Sequence, residues 1–260
     1  MRLGALPWTR ARAALARGAL LPLGSLEQHG PHLPLETDTL LALEVSRRLA
    51  GRLRLALLPP LPYGRSEEHL GFPGTIALEG GLLRALLGSI ASSLELSGAP
   101  CLIIVNGHGG NREEVEGFMA TYRGRLRLKA LHLQEWARRA LERFARPGAL
   151  SHADLTETSL YLALGRPLLS ALPGDVPPPA QLEERARRGE ALRWRAGELS
   201  ATGVIGSVSG ASRELGLKAL EALVEELARH LSAWLAPARR ARRGGRRAHH
   251  AHRRPAEDKP

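Results

Sequence analysis

Five apolar residues in succession, Cys101-Leu102-Ile103-Ile104-Val105, stop at the turn Asn106-Gly107-His108-Gly109-Gly110-Asn111, and helical spacing follows over 113–122. A short run that is apolar on both faces marks a strand buried inside a parallel sheet, because crossover helices cover both sides of such a sheet. The same step recurs along the chain. The run Leu20-Leu21-Pro22-Leu23 precedes a helical pattern over 40–53, and 55–58 is a short strand before a helix over 82–96. A strand over 126–133 leads to helices over 136–144 and 156–164. The last element, 213–235, takes Ser212 as N-cap and lines up Leu220, Leu223, Val224, Leu227, Leu231 and Trp234 on one face. Strand–helix alternation of this kind predicts an α/β layered fold with a mainly parallel sheet.

Length and charge set the domain plan. With 260 residues and 43% apolar content, the chain is large enough for one domain with a sizeable core. The formal charge of +11 is concentrated at the end: from Ala236 to Pro260, eight arginines and one lysine stand against Glu257 and Asp258, a net +7. That stretch has almost nothing apolar to bury, so residues 1–235 are expected to form the domain and 236–260 a disordered basic tail. The tail invites a nucleic-acid reading, limited to weak, nonspecific phosphate contact. The single cysteine, Cys101, excludes an internal disulfide. The arginine-dotted N-terminus does not read as a signal peptide, and no apolar run reaches the ~18 residues of a membrane span. A cytoplasmic, soluble protein is the expectation.

The chemistry-bearing residues fall where these strands end. Glu27 and His29 follow the first strand, Asp38 opens the next helix, and His108 follows the strand at 101–105. In an open parallel sheet, ligands collect beyond the carboxyl ends of the strands. Carboxylates and imidazoles are donors for zinc, manganese or iron. Glu27 and His29, two apart on an extended backbone, project to the same side. Taken singly, a histidine in a glycine-rich loop is usually a hydrogen-bonded turn residue. Here, however, five of the seven histidines before the tail (His29, His32, His69, His108 and His152) all lie in Gly/Pro-rich loops, whereas His132 and His230 sit in a strand and a helix. Competing motifs fail. A dinucleotide fingerprint would need glycine at Arg112, and the second serine of Gly206-Ser207-Val208-Ser209-Gly210 falls one residue late for a nucleophile elbow. One cleft is thus expected to gather Glu27, His29, Asp38 and His108, with Asp38 bridging two metals.

Five segments together carry a family resemblance. They are Leu23-Gly24-Ser25-Leu26-Glu27-Gln28-His29-Gly30-Pro31-His32-Leu33-Pro34 with Asp38; Tyr63-Gly64-Arg65-Ser66-Glu67-Glu68-His69; Phe72-Pro73-Gly74-Thr75; Asn106 to Asn111; and His152 with Glu157-Thr158-Ser159. In this order, over about 20–235, they resemble the creatininase family. The resemblance implies a three-layer α/β/α fold, two divalent metal ions per chain (zinc, manganese or iron), hydrolysis of an amide or cyclic-amide C–N bond, and a homo-oligomer, commonly a hexamer. Its metal ligands fall on Glu27, His29, Asp38 and His108, and its acid/base histidine on His152. Ser66, His69, Gly109, Gly110 and Trp136 are the residues expected against the substrate. Creatininase itself has Tyr-Glu, with the glutamate a metal ligand, where this chain has Gly109-Gly110. Glu157 becomes the candidate for that vacancy, as ligand or as acid/base group. The Gly-Gly form is more similar to members acting on other amides, such as the formamide deformylase of riboflavin and deazaflavin synthesis and the mycofactocin precursor peptidase.

The implied reaction is metal-assisted hydrolysis of a small-molecule amide. The cations activate water, the backbone N–H groups of Gly109 and Gly110 help hold the oxyanion, and His152 protonates the departing nitrogen. Two readings of another kind compete: a nucleic-acid module acting through the basic tail, and a noncatalytic scaffold. The intact set Glu27, His29, Asp38 and His108 argues against the scaffold.

Overall fold

A computed structural model describes residues 1–188, 190 and 194–236; the basic tail beyond Ala236 lies outside the described residues. Four strands, β1 (Ala19–Leu23), β2 (Ala56–Leu57), β3 (Cys101–Asn106) and β4 (Arg127–His132), form one parallel sheet in the order β2-β1-β3-β4. Around it run α1 (Trp8–Leu15), α2 (Thr37–Leu53), α3 (Gly80–Leu96), α4 (Arg112–Thr121), α5 (Leu133–Leu141), α6 (Leu155–Ala163), α7 (Ala180–Arg187), α8 (Ala196–Leu199) and α9 (Arg213–Leu235).

The pleat divides the core in two. Leu20, Ile103 and Val105 face one side and pack against α2, α5, α6 and α9, while Leu21, Leu23, Leu102 and Ile104 face the other and pack against α1, α3 and α4. Side chains two apart along β1 and β3 therefore serve the same layer, as strand geometry requires. Every residue of β1 and β3 is buried, which is why both read as unbroken apolar runs. Helix α9 supplies Leu220, Leu223, Val224, Leu227 and Leu231 to the first layer, each worth roughly 1.5–3 kcal/mol relative to exposure. Its N-cap is Ser212, whose Oγ accepts from the Leu215 N–H. The three-layer α/β/α architecture expected from the sequence is the one observed.

Some boundaries move. The second strand contracts to Ala56–Leu57, and the helix expected over 136–144 begins at Leu133. Three helices gave no sequence signal: α7 buries none of its residues, α1 buries only Leu15, and α8 is a single turn. The proline-rich loop at 173–179 is tied down through Val176, which bridges to Gly206. No helix among the described residues is long and apolar enough to cross a membrane.

Strand order fixes the location of the site. The chain leaves β1 toward β2 on one side and returns to β3 on the other, so the connections diverge between the ends of β1 and β3 and open a crevice there.

Candidate metal centre

Two asparagines bind three loops into this crevice. The Asn111 amide donates to the Gly24 carbonyl after β1 and to Asn106 Oδ1, and it accepts from the Arg65 N–H. Asn106 in turn donates to the His108 carbonyl and accepts the His108 N–H. Gly107 lets the loop after β3 rest directly on the first turn of α2, where a Cβ would come within 2.5 Å of the Asp38 carbonyl oxygen. Asp38 and His108 are thereby forced together.

Distances define the centre. His108 Nδ1 lies 3.1 Å from Glu27 Oε2 and 3.1 Å from Asp38 Oδ2. His29 Nε2 lies 3.3 Å from Asp38 Oδ1 and 3.8 Å from Glu157 Oε2. His152 Nδ1 stands 3.9 Å from Glu27 Oε1. Three overlapping donor groups result: Glu27, Asp38 and His108; His29, Asp38 and Glu157; Glu27, His29 and His152. Asp38 belongs to the first two through different oxygens, the arrangement a bridging carboxylate needs.

The donor set fits divalent cations. Glu27, Asp38 and Glu157 are buried, and among the described residues their bonded partners are Ser25, Ser66, histidines and the Ala153 N–H, with no lysine or arginine. Three carboxylates out of water without compensating positive charge are costly unless protons or metals take that place. Protonation follows this demand. Burial opposes charge on His29, but Asp38 and then Glu157 override it and hold the imidazole at about 10. Burial pushes Glu157 up to about 8. His108 is raised well above its ordinary value because Glu27 and Asp38 outweigh its desolvation. Asp38 is held well below the carboxylate range, its own burial outweighed by His29 and His108. His152 and His69 move the other way, to about 3: burial lowers both, reinforced by His29 for His152 and by His152 for His69.

Each donor imidazole is oriented from behind by a backbone carbonyl. His108 Nε2–H donates to Arg65 O at 2.7 Å, His29 Nδ1–H to Glu27 O at 3.1 Å, and His152 Nε2–H to Gln28 O at 2.7 Å. A carbonyl can only accept, so the opposite nitrogens, His108 Nδ1, His29 Nε2 and His152 Nδ1, turn toward the centre. The carboxylate of Glu27 accepts from Ser66 Oγ at 2.6 Å and lies 3.4 Å from His69 Nε2.

A cavity of about 780 Å³ opens onto this cluster, lined at its polar end by His69, His108, Gly109, Gly110, His152 and Glu157. Ser66 is fully buried and supports Glu27 from behind, so the structure does not bring it to the cavity wall. Nor does it bring Trp136 there: that ring packs 5.3 Å from His230 at the edge of the core. The tryptophan that does line the cavity is Trp194, set edge-on to His69 at 5.4 Å. The sequence reading missed it; its one signal is an aromatic residue standing between Arg193 and Arg195. Glu68 also lines the cavity, 3.6 Å from His108 Nε2, its carboxyl raised by burial. Gly110 has no room for a side chain, since a Cβ would meet the Arg65 carbonyl at 2.2 Å and His108 Nε2 at 2.5 Å. Beside Asp38, the His29 side of the centre has the carboxylate of Glu157, 3.8 Å from His29 Nε2.

A parallel α/β sheet with carboxylates and imidazoles gathered at its topological switch point is the layout of a metal-dependent hydrolase. The chain belongs to the creatininase family, whose profile, described as creatinine amidohydrolase, matches residues 5–231. It is similar to the mycofactocin precursor peptide peptidase of Mycobacterium ulcerans (strain Agy99), 35% identical over 229 residues that cover 83% of this chain and 84% of the relative. It is 32% identical to the creatinine amidohydrolase of Pseudomonas putida over 247 residues, 86% of this chain and 94% of that one. A solved mutant creatininase of Zn-Zn type superposes with a TM-score of 0.74 at 26% identity, covering 91% of this chain and 100% of that chain. The protein is a creatininase-family amidohydrolase, and its donor groups suit divalent metal.

Proposed function

We propose that the chain hydrolyses an amide or cyclic-amide C–N bond of a small molecule at a two-metal centre held by Glu27, His29, Asp38, His108 and Glu157. The observation that carries this reading is Asp38, whose two oxygens face the His108 and His29 groups separately. Two divalent cations there would polarise the amide carbonyl and lower the pKa of water toward about 7.

The chain's own groups supply the rest. His152 presents the lone pair of Nδ1 to the centre, with its proton fixed on Nε2 by Gln28 O. It takes the proton from the attacking water and returns it to the nitrogen as the C–N bond breaks, which leaves a carboxylic acid and an amine, both on one ring-opened molecule where the amide is cyclic. The backbone N–H groups of Gly109 and Gly110, at the cavity wall, support the oxyanion. Trp194, set edge-on to His69, gives the substrate an aromatic ring beside the centre. We place the protein in the cytoplasm as a homo-oligomer, hexameric by the family resemblance.

A second reading, cleavage of a short peptide, is favoured by one observation. The cavity of about 780 Å³ falls in the range of about 300–1,000 Å³ that holds drug-sized ligands, far more than a creatinine-sized ring needs. It agrees with the peptidase activity for which the relative from Mycobacterium ulcerans is named. A screen of metal-loaded protein against formamides, lactams and short peptides tests both. Turnover confined to formamides and lactams supports the first reading, turnover of peptides the second, and none with any class overturns the proposal.

A further inference from the structure

We infer that Gln28 is a positioning residue that fixes where the protons sit on His69 and His152, so that one imidazole offers the centre a donor and the other a lone pair. The inference deepens the proposed reaction and rests on it for the role of His152.

The amide of Gln28 has only one possible orientation. Its Nε2 lies 3.1 Å from the Gly203 carbonyl, which can only accept, and its Oε1 lies 2.9 Å from the Gly30 N–H, which can only donate. Exchanging nitrogen and oxygen would break both bonds, and the side chain is buried where water cannot replace them. The second N–H of the amide then points at His69 Nδ1, 2.9 Å away. That nitrogen must accept, so the His69 proton resides on Nε2, facing Glu27 Oε1 at 3.4 Å. The main-chain carbonyl of the same residue accepts from His152 Nε2 at 2.7 Å and leaves His152 Nδ1 bare. One residue thus sets two adjacent rings, whose centroids are 4.3 Å apart, in opposite sense.

Its surroundings hold Gln28 in place. The Gln28 N–H donates to Thr75 Oγ1 at 3.2 Å. Gly203, at φ +83°, brings its carbonyl so close that a Cβ would lie 1.8 Å from Gln28 Oε1. The same loop pairs with the strand-like segment carrying His152 through the His152–Ile205 bridge. The consequence for catalysis is directional. His69 Nε2–H can donate to Glu27 or to a substrate oxygen without competing for the proton, and of the two rings only His152 offers the centre a nitrogen that can accept one.

Gln28→Met keeps the volume and loses the amide. Metal content of Gln28→Met is expected to match that of the parent, while kcat falls ~10–100-fold, the range for groups that orient a metal site from behind, and KM changes little. Nitrogen NMR of ring-labelled histidines is expected to show His69 protonated only at Nε2 in the parent protein and on both nitrogens in exchange in Gln28→Met. In a His69→Phe background, Gln28→Met should cost less than about threefold, because its partner is gone. Undiminished kcat, full additivity with His69→Phe, or a parent spectrum with the proton on His69 Nδ1 overturns the inference. If the parent protein turns over no amide, the proposed reaction fails, while the proton assignment on His69 is still decided by the spectrum.

Discussion

Asp38 turns Oδ1 toward His29 Nε2 at 3.3 Å and Oδ2 toward His108 Nδ1 at 3.1 Å, so a single carboxylate on the first turn of α2 faces both halves of the centre. Removing it should empty both halves. Asp38→Ala is expected to retain close to no metal, whereas His29→Ala should keep the ion between Glu27 and His108 and lose mainly the other. Elemental analysis of the purified variants distinguishes these. Loss of a single ion in Asp38→Ala would mean the carboxylate does not bridge.

His152 separates ligand from acid/base chemistry. Its Nδ1 is within reach of Glu27 and His29 as a third donor group, while Gln28 O holds its proton on Nε2 and leaves Nδ1 free to take one from water. His152→Ala is expected to keep its metals and lose turnover by ~10²–10⁴-fold, as for general acid–base groups. Loss of metal in this variant would instead make His152 a ligand.

Metal uptake should release protons. In the metal-free protein at neutral pH, His29, held at about 10, and Glu157, held at about 8, both carry a proton that a cation must displace. Affinity should therefore rise with pH between 7 and about 8 and continue rising toward 10. Calorimetric titration in buffers of different ionisation enthalpy counts the protons. Uptake without release would show that neither group is a ligand.

Acid should destabilise the metal-free protein. His69 and His152 sit at about 3 and His32 at about 4, each depressed by burial from 6.5. Below 6.5 the unfolded chain binds up to three protons that these folded imidazoles refuse, so stability is lost as pH falls through that window. Glu157, Glu68 and Asp154 oppose, because burial raises their folded values, while the lowered carboxylates of Glu27 and Asp38 act with the imidazoles. The net expectation is a lower Tm at pH 4.5 than at pH 6.5. A Tm at pH 4.5 equal to or above that at pH 6.5 would show that the imidazoles are not buried neutral.

Gly110 marks a close approach that the centre depends on. Gly110→Ala would drive a methyl group onto the Arg65 carbonyl that orients His108. It should cost about 1–3 kcal/mol of stability, typical of overpacking, and weaken the His108 ion first. Thermal unfolding and metal analysis of Gly110→Ala check this; unchanged metal content would show that the loop can yield.

The parts of this picture legible in the sequence are those set by strand ends. Glu27, His29 and His108 follow runs that are apolar on both faces, and Asp38 opens the helix between them, so spacing alone brings the four together. Helix α7 was illegible because it buries no residue and so carries no apolar stripe. Trp136 and Trp194 could not be sorted by type. Which tryptophan meets the cavity depends on the rotation of α5, which begins at Leu133, and on the path of a segment more than a hundred residues from the first motif. Gln28 lies inside the motif, yet its role depends on the carbonyl of Gly203, a contact across 175 residues that no local pattern encodes.

The most direct measurement is the number of metal ions per chain in protein loaded with zinc, manganese or iron(II). The arrangement around Asp38 predicts two, bound with the release of protons; a stoichiometry near zero would contradict the account at its centre.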